Sequence, residues 1–237
     1  MKEKIKDFII KNLRWILLFI CLIGFFAIAE DVFNKEIMQG DIIGYKLIST
    51  FLISDFATPI AKFITNFGGA IFIITLMITL FILIKDKKIG LSIFLNLVIA
   101  TTLNQLLKRI LQRPRPTEYR IIEETGYSFP SGHSMVSMAF YGYLIYLIYK
   151  YVENKYIKWT LIVLLSILIC SIGISRIYLG VHYTSDVLGG FLASISYLVI
   201  YISAVKKFLF VEGDKAYCFE LIIININYLV LYFMRII

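Results

Sequence analysis

Long apolar runs alternate with short polar segments along most of the chain, and this pattern predicts a helical membrane protein. A helix needs roughly 20 apolar residues to cross the hydrocarbon core of a bilayer, and six runs approach that length. The predicted spans are Trp15 to Ala29, Phe67 to Ile84, Ile89 to Leu107, Ser134 to Tyr149, Ile157 to Ile174 and Asp186 to Val205. The expected fold class is therefore all-α, a polytopic bundle of six transmembrane helices.

The segment between the first two spans has a different pattern. Residues 30–66 mix apolar positions with acidic ones such as Asp31 and Asp55. Within this segment, residues 42–56 are apolar with scattered polar positions, which is typical of a helix that lies in the membrane interface. We therefore predict an interfacial helix between spans 1 and 2.

The first apolar run has two interpretations. It follows a basic segment and contains Ala27-Ile28-Ala29, which resembles a signal-peptide cleavage site. Leu13 and Val32-Phe33 lengthen the run beyond that pattern and favour an uncleaved first span. Either interpretation leaves the arrangement of the later spans unchanged.

The end of the chain is not expected to add a span. The run from 221 to 234 contains Asn225 and Asn227 and is short for a transmembrane helix. We expect residues 1–207 to form one membrane domain. Residues 208–237 are expected to form a C-terminal tail, with an apolar run that suits the membrane interface.

Composition strengthens the membrane prediction. Apolar residues make up 59% of the 237 residues, and charged residues only 17%, against about 25% in a typical soluble protein. The mean hydropathy is +0.83. These values exclude a disordered chain, an ordinary cytosolic enzyme and a basic nucleic-acid-binding domain, so membrane lipids are the expected partners and nucleic acid is not.

The distribution of positive charge predicts the orientation. With both termini in the cytoplasm, 15 of the 24 Lys and Arg residues lie on the cytoplasmic side, as expected for a plasma membrane protein. One short outer loop opposes this bias, because it carries five cations: Lys108, Arg109, Arg113, Arg115 and Arg120. Anion binding on the outer side would explain such a cluster.

Two histidines lie in segments that the topology brings to the same outer layer as this loop. His182 and Asp186 are four residues apart, so they share one face of a helix. A carboxylate beside an imidazole fixes the tautomer and makes the other ring nitrogen available as a nucleophile or base. The alternative is an ordinary helix-capping His–Asp pair.

The second histidine, His133, follows Ser131 and Gly132 at the predicted start of a helix. Free backbone N–H groups at a helix N-terminus favour an anion, and His133 could donate a proton to a leaving oxygen. The alternative is a Ser cap with an incidental His.

Three cations of this layer, Lys108, Arg115 and Arg176, could cradle a phosphoryl group. The alternative is that they extend toward lipid headgroups. We assign that second role to the remaining loop cations, Arg109, Arg113 and Arg120.

These segments together resemble the type 2 phosphatidic acid phosphatase (PAP2) superfamily, in particular its bacterial membrane lipid phosphatases. The resemblance rests on three motifs: Lys108-x6-Arg115-Pro116, Pro130-Ser131-Gly132-His133 and Ser175-Arg176-x5-His182-x3-Asp186. All three are complete. With the six-span layout, the resemblance extends over about residues 13–205 and leaves the tail uncovered.

The resemblance implies a role for each motif residue. His182 is the expected nucleophile that forms a phosphohistidine, Asp186 orients it, and His133 protonates the leaving oxygen. The phosphoryl oxygens are expected to bind Lys108, Arg115, Ser131, Gly132 and Arg176. The resemblance implies no metal and no cofactor, and the sequence offers no carboxylate or histidine cluster at this site for Mg²⁺ or Zn²⁺.

The expected function is hydrolysis of a lipid phosphate or diphosphate at the outer membrane face. Undecaprenyl diphosphate, phosphatidylglycerophosphate and phosphatidic acid are all compatible with the motifs, and selectivity is expected from an apolar groove and the loop 117–129. One alternative is a lipid phosphotransferase that uses the same site. Another is a non-enzymatic carrier of anionic lipids. The spacing indicates neither the substrate nor the oligomeric state.

Overall fold

The computed structural model describes residues 2–36 and 38–208, and these residues form eight α-helices and no β-strand. The helices are α1 (Lys2–Phe33), α2 (Gln39–Phe51), α3 (Ala57–Asn66), α4 (Ala70–Leu83), α5 (Lys87–Leu111), α6 (Gly132–Tyr151), α7 (Lys155–Tyr178) and α8 (Thr184–Phe208). The all-α fold class is therefore as predicted. The predicted tail lies beyond Phe208, outside the described residues.

Local signals set the helix boundaries. Asp86 caps α5 by accepting a hydrogen bond from the backbone N–H of Lys88 at 2.8 Å, and Asn154 caps α7 in the same way. Helix α5 ends at Gln112, which has a left-handed backbone with φ of 44°. Pro114 follows closely and cannot continue a helix, so the chain leaves α5 as an extended loop.

Four of the described helices are long and apolar enough to cross a membrane. They are Asn12–Phe33 within α1, together with α5, α7 and Thr184–Lys207 of α8. Helices α3 and α4 add a fifth candidate if they form one span, although they are bent by 47° at the break between them. Length and composition alone thus support four or five spans rather than the predicted six.

Helix α6 is the predicted span that this test leaves out. It contains five tyrosines, which lower its mean hydropathy although its buried face lies in the core. Its neighbours supply hydrogen-bond partners for two of these hydroxyls: Tyr143 donates to Ser92 Oγ at 2.8 Å, and Tyr141 donates to the carbonyl of Phe67 at 2.7 Å. Because α6 packs against α5, α7 and α8, it lies at the centre of the bundle.

The predicted second span is a bent pair of helices. The sequence prediction began it at Phe67 and treated the preceding segment as mixed, whereas the structure places α3 there. Gly68 and Gly69 separate α3 from α4, because glycine weakens a helix and Gly69 has an extended backbone. Gly68 also permits close packing, since a Cβ there would lie 2.6 Å from Ile172.

Helix α2 overlaps the predicted interfacial helix at residues 42–56. Its outer face exposes Ile43, Leu47 and Phe51, while Asp41 near its first turn is buried. In the middle of the helix, Tyr45 stacks on Tyr119 of the α5–α6 loop with ring centroids 4.7 Å apart. The helix is therefore attached to the loop that carries the cluster of cations.

Candidate active site

One cavity of about 370 Å³ lies where the C-terminus of α5, the N-terminus of α6, the α5–α6 loop and the α7–α8 connection meet. Five predicted site residues line it: Lys108, Arg115, Gly132, His133 and His182. The structure thus brings the three sequence motifs into one layer at the same end of the bundle.

His182 lies in the short loop before α8, with its ring held by one carboxylate. Its Nδ1 atom lies 3.2 Å from Oδ2 of Asp186, and both side chains are buried. Because the carboxylate accepts the Nδ1 proton, the Nε2 atom carries the lone pair. Nε2 lies 3.0 Å from Nη1 of Arg115, and both residues line the cavity.

Asp186 has partners on both of its carboxylate oxygens. Oδ2 accepts hydrogen bonds from the hydroxyl of Ser128 and from the backbone N–H of Tyr183, the latter at 2.8 Å. Oδ1 accepts a hydrogen bond from Nη1 of Arg113 at 2.7 Å. The carboxylate is fully buried, so these donors compensate for its lost hydration.

Arg113 connects Asp186 to helix α2. Its Nη2 atom donates to Oδ2 of Asp41 at 2.7 Å, and its Nη1 atom donates to Asp186 and also to Ser185 Oγ at 2.7 Å. The guanidinium lies over the ring of Tyr183, 4.0 Å from the centroid. The proposed headgroup role for Arg113 is therefore wrong, because its side chain is only 10% exposed and forms two ion pairs.

Arg115 extends across the loop to the ring of His182. Its guanidinium donates to the carbonyls of Thr125, Gly126 and Val181 at 3.0–3.2 Å. These backbone acceptors hold the side chain beside His182. Pro114 and Pro116 flank Arg115 and restrict its backbone to an extended conformation.

Lys108 lies one turn before the end of α5 and is buried. Its ammonium group donates to the carbonyl of Tyr127 and, at 3.2 Å, to that of Ser128. It therefore supplies a positive charge at the cavity and also fixes the loop segment that positions Ser128 next to Asp186.

Arg176 is the most deeply buried of the predicted phosphate-binding cations, with 1% exposure. Its Nη1 atom donates to Thr65 Oγ1 at 2.7 Å, and its Nη2 atom donates to Oε1 of Glu124 at 2.5 Å. Its Nε atom has no hydrogen-bond partner in the described part of the chain. Arg176 is not among the residues that line the cavity, but it adjoins the cavity through Glu124, which lines it.

The N-terminus of α6 contributes Ser131, Gly132 and His133. The Ser131 hydroxyl caps the helix by accepting from the N–H of Ser134 at 3.4 Å, while its own N–H donates to the carbonyl of Asp186. A Cβ at Gly132 would lie 3.2 Å from Oδ1 of Asn104 on α5. Glycine therefore lets this helix begin close to α5, with its first N–H groups near the cavity.

Burial and neighbouring charges shift the titration of two loop residues. The pKa of His182 is lowered to about 4, chiefly because burial disfavours the imidazolium; Asp186 acts in the opposite direction, and Arg115 lowers the pKa further. Burial alone would raise the pKa of Glu124, but the adjacent Arg176 lowers it below its usual value. His182 is therefore neutral and Glu124 is ionised at neutral pH.

Sequence reasoning missed several residues of this site. Ser128 and Glu124 lie in the loop 117–129, which the sequence predicts to set selectivity, but no motif gives either of them a role of its own, and Asp41 lies more than 60 residues before the first motif. Arg113 stands in the Arg-Pro-Arg-Pro string, and the positive charge of a predicted outer loop is the signal for it. Across the described ranges, no group of three His, Cys, Asp or Glu side chains has the arrangement of a metal site.

The fold and the site together define an integral membrane protein with a cation-lined cavity for an anionic group. The model of the PAP2 superfamily matches residues 89–210, just over half of the chain. This protein therefore belongs to the PAP2 superfamily.

Two curated relatives and one solved structure extend this result. The chain is 34% identical to phosphatidylglycerophosphatase B of Bacillus subtilis over 133 residues, which cover 54% of this chain and 65% of that protein. It is 28% identical to undecaprenyl-diphosphatase of Sulfolobus acidocaldarius over 180 residues, 73% of this chain and 79% of the relative. The crystal structure of a transmembrane PAP2-type phosphatidylglycerolphosphate phosphatase from Bacillus subtilis matches with a TM-score of 0.71 and 25% identity, covering 86% of this chain and all of that one.

Proposed function

We propose that this protein is a membrane phosphatase that hydrolyses a lipid phosphate or diphosphate through a phosphohistidine, without a metal. One observation carries the proposal: His182 lines a cavity that cations also line, its Nδ1 is held by Asp186 at 3.2 Å, and its Nε2 lies 3.0 Å from the cavity residue Arg115. The family assignment and the lipid phosphatases among the relatives support the same reaction.

In the first half of the reaction, Nε2 of His182 attacks phosphorus and forms an N–P bond. The bond between phosphorus and the leaving oxygen breaks, and that oxygen takes the bonding electrons. His133, which lines the same cavity, gives it a proton. Asp186 stabilises the positive charge that develops on the imidazole of His182.

In the second half, water attacks phosphorus and the N–P bond breaks. His133, now unprotonated, accepts a proton from that water, so the group that served as the acid also serves as the base. Inorganic phosphate leaves, and both histidines return to their starting states. Each half therefore needs one proton transfer at His133 and one bond change at Nε2 of His182.

The remaining motif residues would stabilise the phosphoryl group. Lys108, Arg115 and Arg176 supply positive charge for the equatorial oxygens, and the unpartnered Nε–H of Arg176 supports this role. The hydroxyl of Ser131 and the N–H of Gly132 would add donors from the α6 terminus, since the N–H of Ser131 already donates to the carbonyl of Asp186. Binding of a phosphoryl group requires that the Arg115–His182 contact at 3.0 Å open.

We further propose how the protein lies in the plasma membrane. Helices α1, α3–α4, α5, α6, α7 and α8 would form six spans of one domain covering residues 1–207, with both termini in the cytoplasm. The site would then face outward, where a lipid headgroup meets the cations while its tail stays in the bilayer. Helix α2, with Ile43, Leu47 and Phe51 exposed, would lie in the outer interface.

The test is phosphate release by the purified protein in detergent with EDTA present. Undecaprenyl diphosphate, phosphatidylglycerophosphate and phosphatidic acid would be offered in parallel, and the ratio of rates would rank these substrates. We expect release from at least one of them, and His182→Ala should lose it while retaining the wild-type gel-filtration profile. Activity in His182→Ala, or activity that EDTA abolishes, would contradict the mechanism.

Two further measurements separate the roles of the histidines. A brief reaction with ³²P-labelled substrate should leave an acid-labile label that His182→Ala cannot form. His133→Ala should slow release from a lipid phosphate far more than from an aryl phosphate, because an aryl oxide leaves without a proton. Equal losses on both substrates would assign His133 a different role, and product formation only with an added lipid acceptor would indicate the phosphotransferase.

A further inference from the structure

Helix α2 reaches the catalytic layer through a single buried carboxylate. Asp41 is 7% exposed, and its oxygens accept two hydrogen bonds besides the one in the ion pair with Arg113. Ser185 provides both of them, from its N–H at 2.7 Å and from its hydroxyl at 2.8 Å. Ser185 immediately precedes Asp186, so Asp41 fixes the first turn of α8.

Arg113 completes this link. The same guanidinium contacts Asp41 through Nη2 and Asp186 through Nη1, each at 2.7 Å. It therefore lies between two carboxylates, one on each helix. Burial lowers the pKa of Arg113, but Asp186 and Asp41 raise it above its usual value, which keeps the cation fully charged.

The two oxygens of Asp186 consequently have separate tasks. Oδ1 faces Arg113, whereas Oδ2 faces Nδ1 of His182. An aspartate has one torsion that rotates both oxygens together, so a fixed partner on Oδ1 also fixes the direction of Oδ2. Arg113 is not among the residues that line the cavity, so it acts on the reaction through the groups that it positions, chiefly Asp186.

We infer that Arg113 and Asp41 are positioning residues that orient Asp186 against His182 and thereby couple the placement of helix α2 to the nucleophile. This inference rests on the proposed function and adds two residues outside the three motifs. It also gives α2 a role beyond that of a connector.

The first test is steady-state kinetics of Arg113→Met and Asp41→Asn on the preferred lipid phosphate. We expect kcat to fall by roughly 10- to 100-fold in Arg113→Met, in the range for groups that orient a reactive imidazole through its partner, with KM changed less than about threefold. Asp41→Asn should lower kcat in the same way but less. The matched control is Glu36→Gln, an exposed carboxylate on the α1–α2 connection beside the same helix, which should leave kcat unchanged.

The pH profile separates positioning from a general loss of structure. His182 and Asp186 face charged or titratable groups on every neighbouring element: Lys108, Arg115, Glu124, His133, Arg176 and Tyr183. Arg113 lies 2.7 Å from the carboxylate that holds His182, so removing this cation favours protonation of the imidazole, and the acid limb of kcat should move to higher pH. Removing the Asp41 anion leaves the Arg113 cation in place, so it cannot move the acid limb of kcat to higher pH. Equal shifts in both variants would overturn the inference.

Conservative variants and a double-mutant cycle keep the inference testable if Arg113→Met is unstable. Arg113→Lys should retain part of kcat, because one ammonium reaches one carboxylate but not both. The Asp41→Asn/Arg113→Met double variant should lose little more than Arg113→Met alone, since both changes break one chain of contacts. Losses that multiply would overturn the coupling.

These outcomes are distinguishable from failure of the proposed function. If the wild type releases no phosphate from any substrate, the proposed function fails before any variant is compared. If the wild type is active and His182→Ala is inactive, the proposed function stands. If Arg113→Met and Arg113→Lys then keep the wild-type kcat and an unshifted acid limb, this inference alone fails.

Discussion

Gly180 offers a quantitative test of how tightly the α5–α6 loop fits against the residues that precede His182. Its φ of +69° lies in the left-handed region, and a Cβ there would lie 2.0 Å from the carbonyl oxygen of Tyr119. The neighbouring hydrogen bond from Ile121 N–H to the Leu179 carbonyl, at 3.0 Å, fixes this approach. We predict that Gly180→Ala separates the loop from the α7–α8 connection.

The loop itself offers a matched control. Gly126 has nearly the same backbone, with φ of +75°, but a Cβ there meets nothing within 4 Å. Gly126→Ala therefore costs only the left-handed conformation, about 1–2 kcal/mol, partly offset by the reduced entropy of the unfolded chain. Gly180→Ala adds the overlap with a backbone carbonyl, for which overpacking of about 1–3 kcal/mol is typical.

Thermal unfolding in detergent, followed by circular dichroism, measures both costs. With roughly 2–4 °C per kcal/mol for a chain of this size, we expect Gly180→Ala to lower the apparent Tm by about 5–15 °C. Gly126→Ala should lower it by no more than about 5 °C. Equal shifts in the two variants, or a stable and fully active Gly180→Ala, would refute the close approach on which this reasoning depends.

Three further predictions concern the charges of the cavity. Burial lowers the pKa of His182 to about 4, and only the neutral imidazole attacks. After correction for substrate ionisation, the acid limb of the kcat/KM profile should therefore have its inflection well below pH 6.5. An inflection at pH 6.5 or above would contradict a buried, neutral nucleophile. Glu124→Gln removes an anion that pairs with Arg176, so inorganic phosphate should inhibit this variant more strongly, by about tenfold if the effect is near 1.4 kcal/mol; unchanged or weaker inhibition would show that Glu124 does not oppose anion binding. Arg176→Lys cannot contact both Thr65 and Glu124, so kcat/KM should fall at least tenfold while Lys158→Arg on the same helix has no effect; equal activity of the two variants would remove Arg176 from the site.

The sequence supported the location of the site more fully than its construction. His182 and Asp186 are one helical turn apart. Each loop joins the end of one span to the start of the next, and alternate loops lie on the same side of the membrane, so the predicted topology groups the three motifs on one side. Asp41 and Glu124 could not be assigned in this way. Their partners are 72 and 52 residues away, and an isolated acidic residue in a polar segment gives no local signal of such a contact.

The difference at helices α3 and α4 has a similar origin. Thr58, Lys62 and Asn66 make α3 too polar to continue the apolar run that follows, so hydropathy assigned it to a connection. Its polar face is required by contacts that the sequence does not display: Thr65 accepts from Arg176, and Thr58 bonds the hydroxyl of Tyr178 at 2.8 Å. The start of the α3–α4 pair is therefore set by contacts with α7 rather than by the hydropathy pattern of its own residues.

The break between α3 and α4 makes bilayer thickness relevant to the reaction. Helix α4 has 14 residues and is about 21 Å long at 1.5 Å per residue, shorter than a hydrocarbon core of about 30 Å. A segment shorter than the hydrocarbon core is matched by thinning of the bilayer around it, unless α3 supplies the rest of the span across the break at Gly68-Gly69. A Cβ at Gly68 would lie 3.1 Å from the ring of His133, so we expect a change in bilayer thickness to reach the site at the residue proposed to carry the proton.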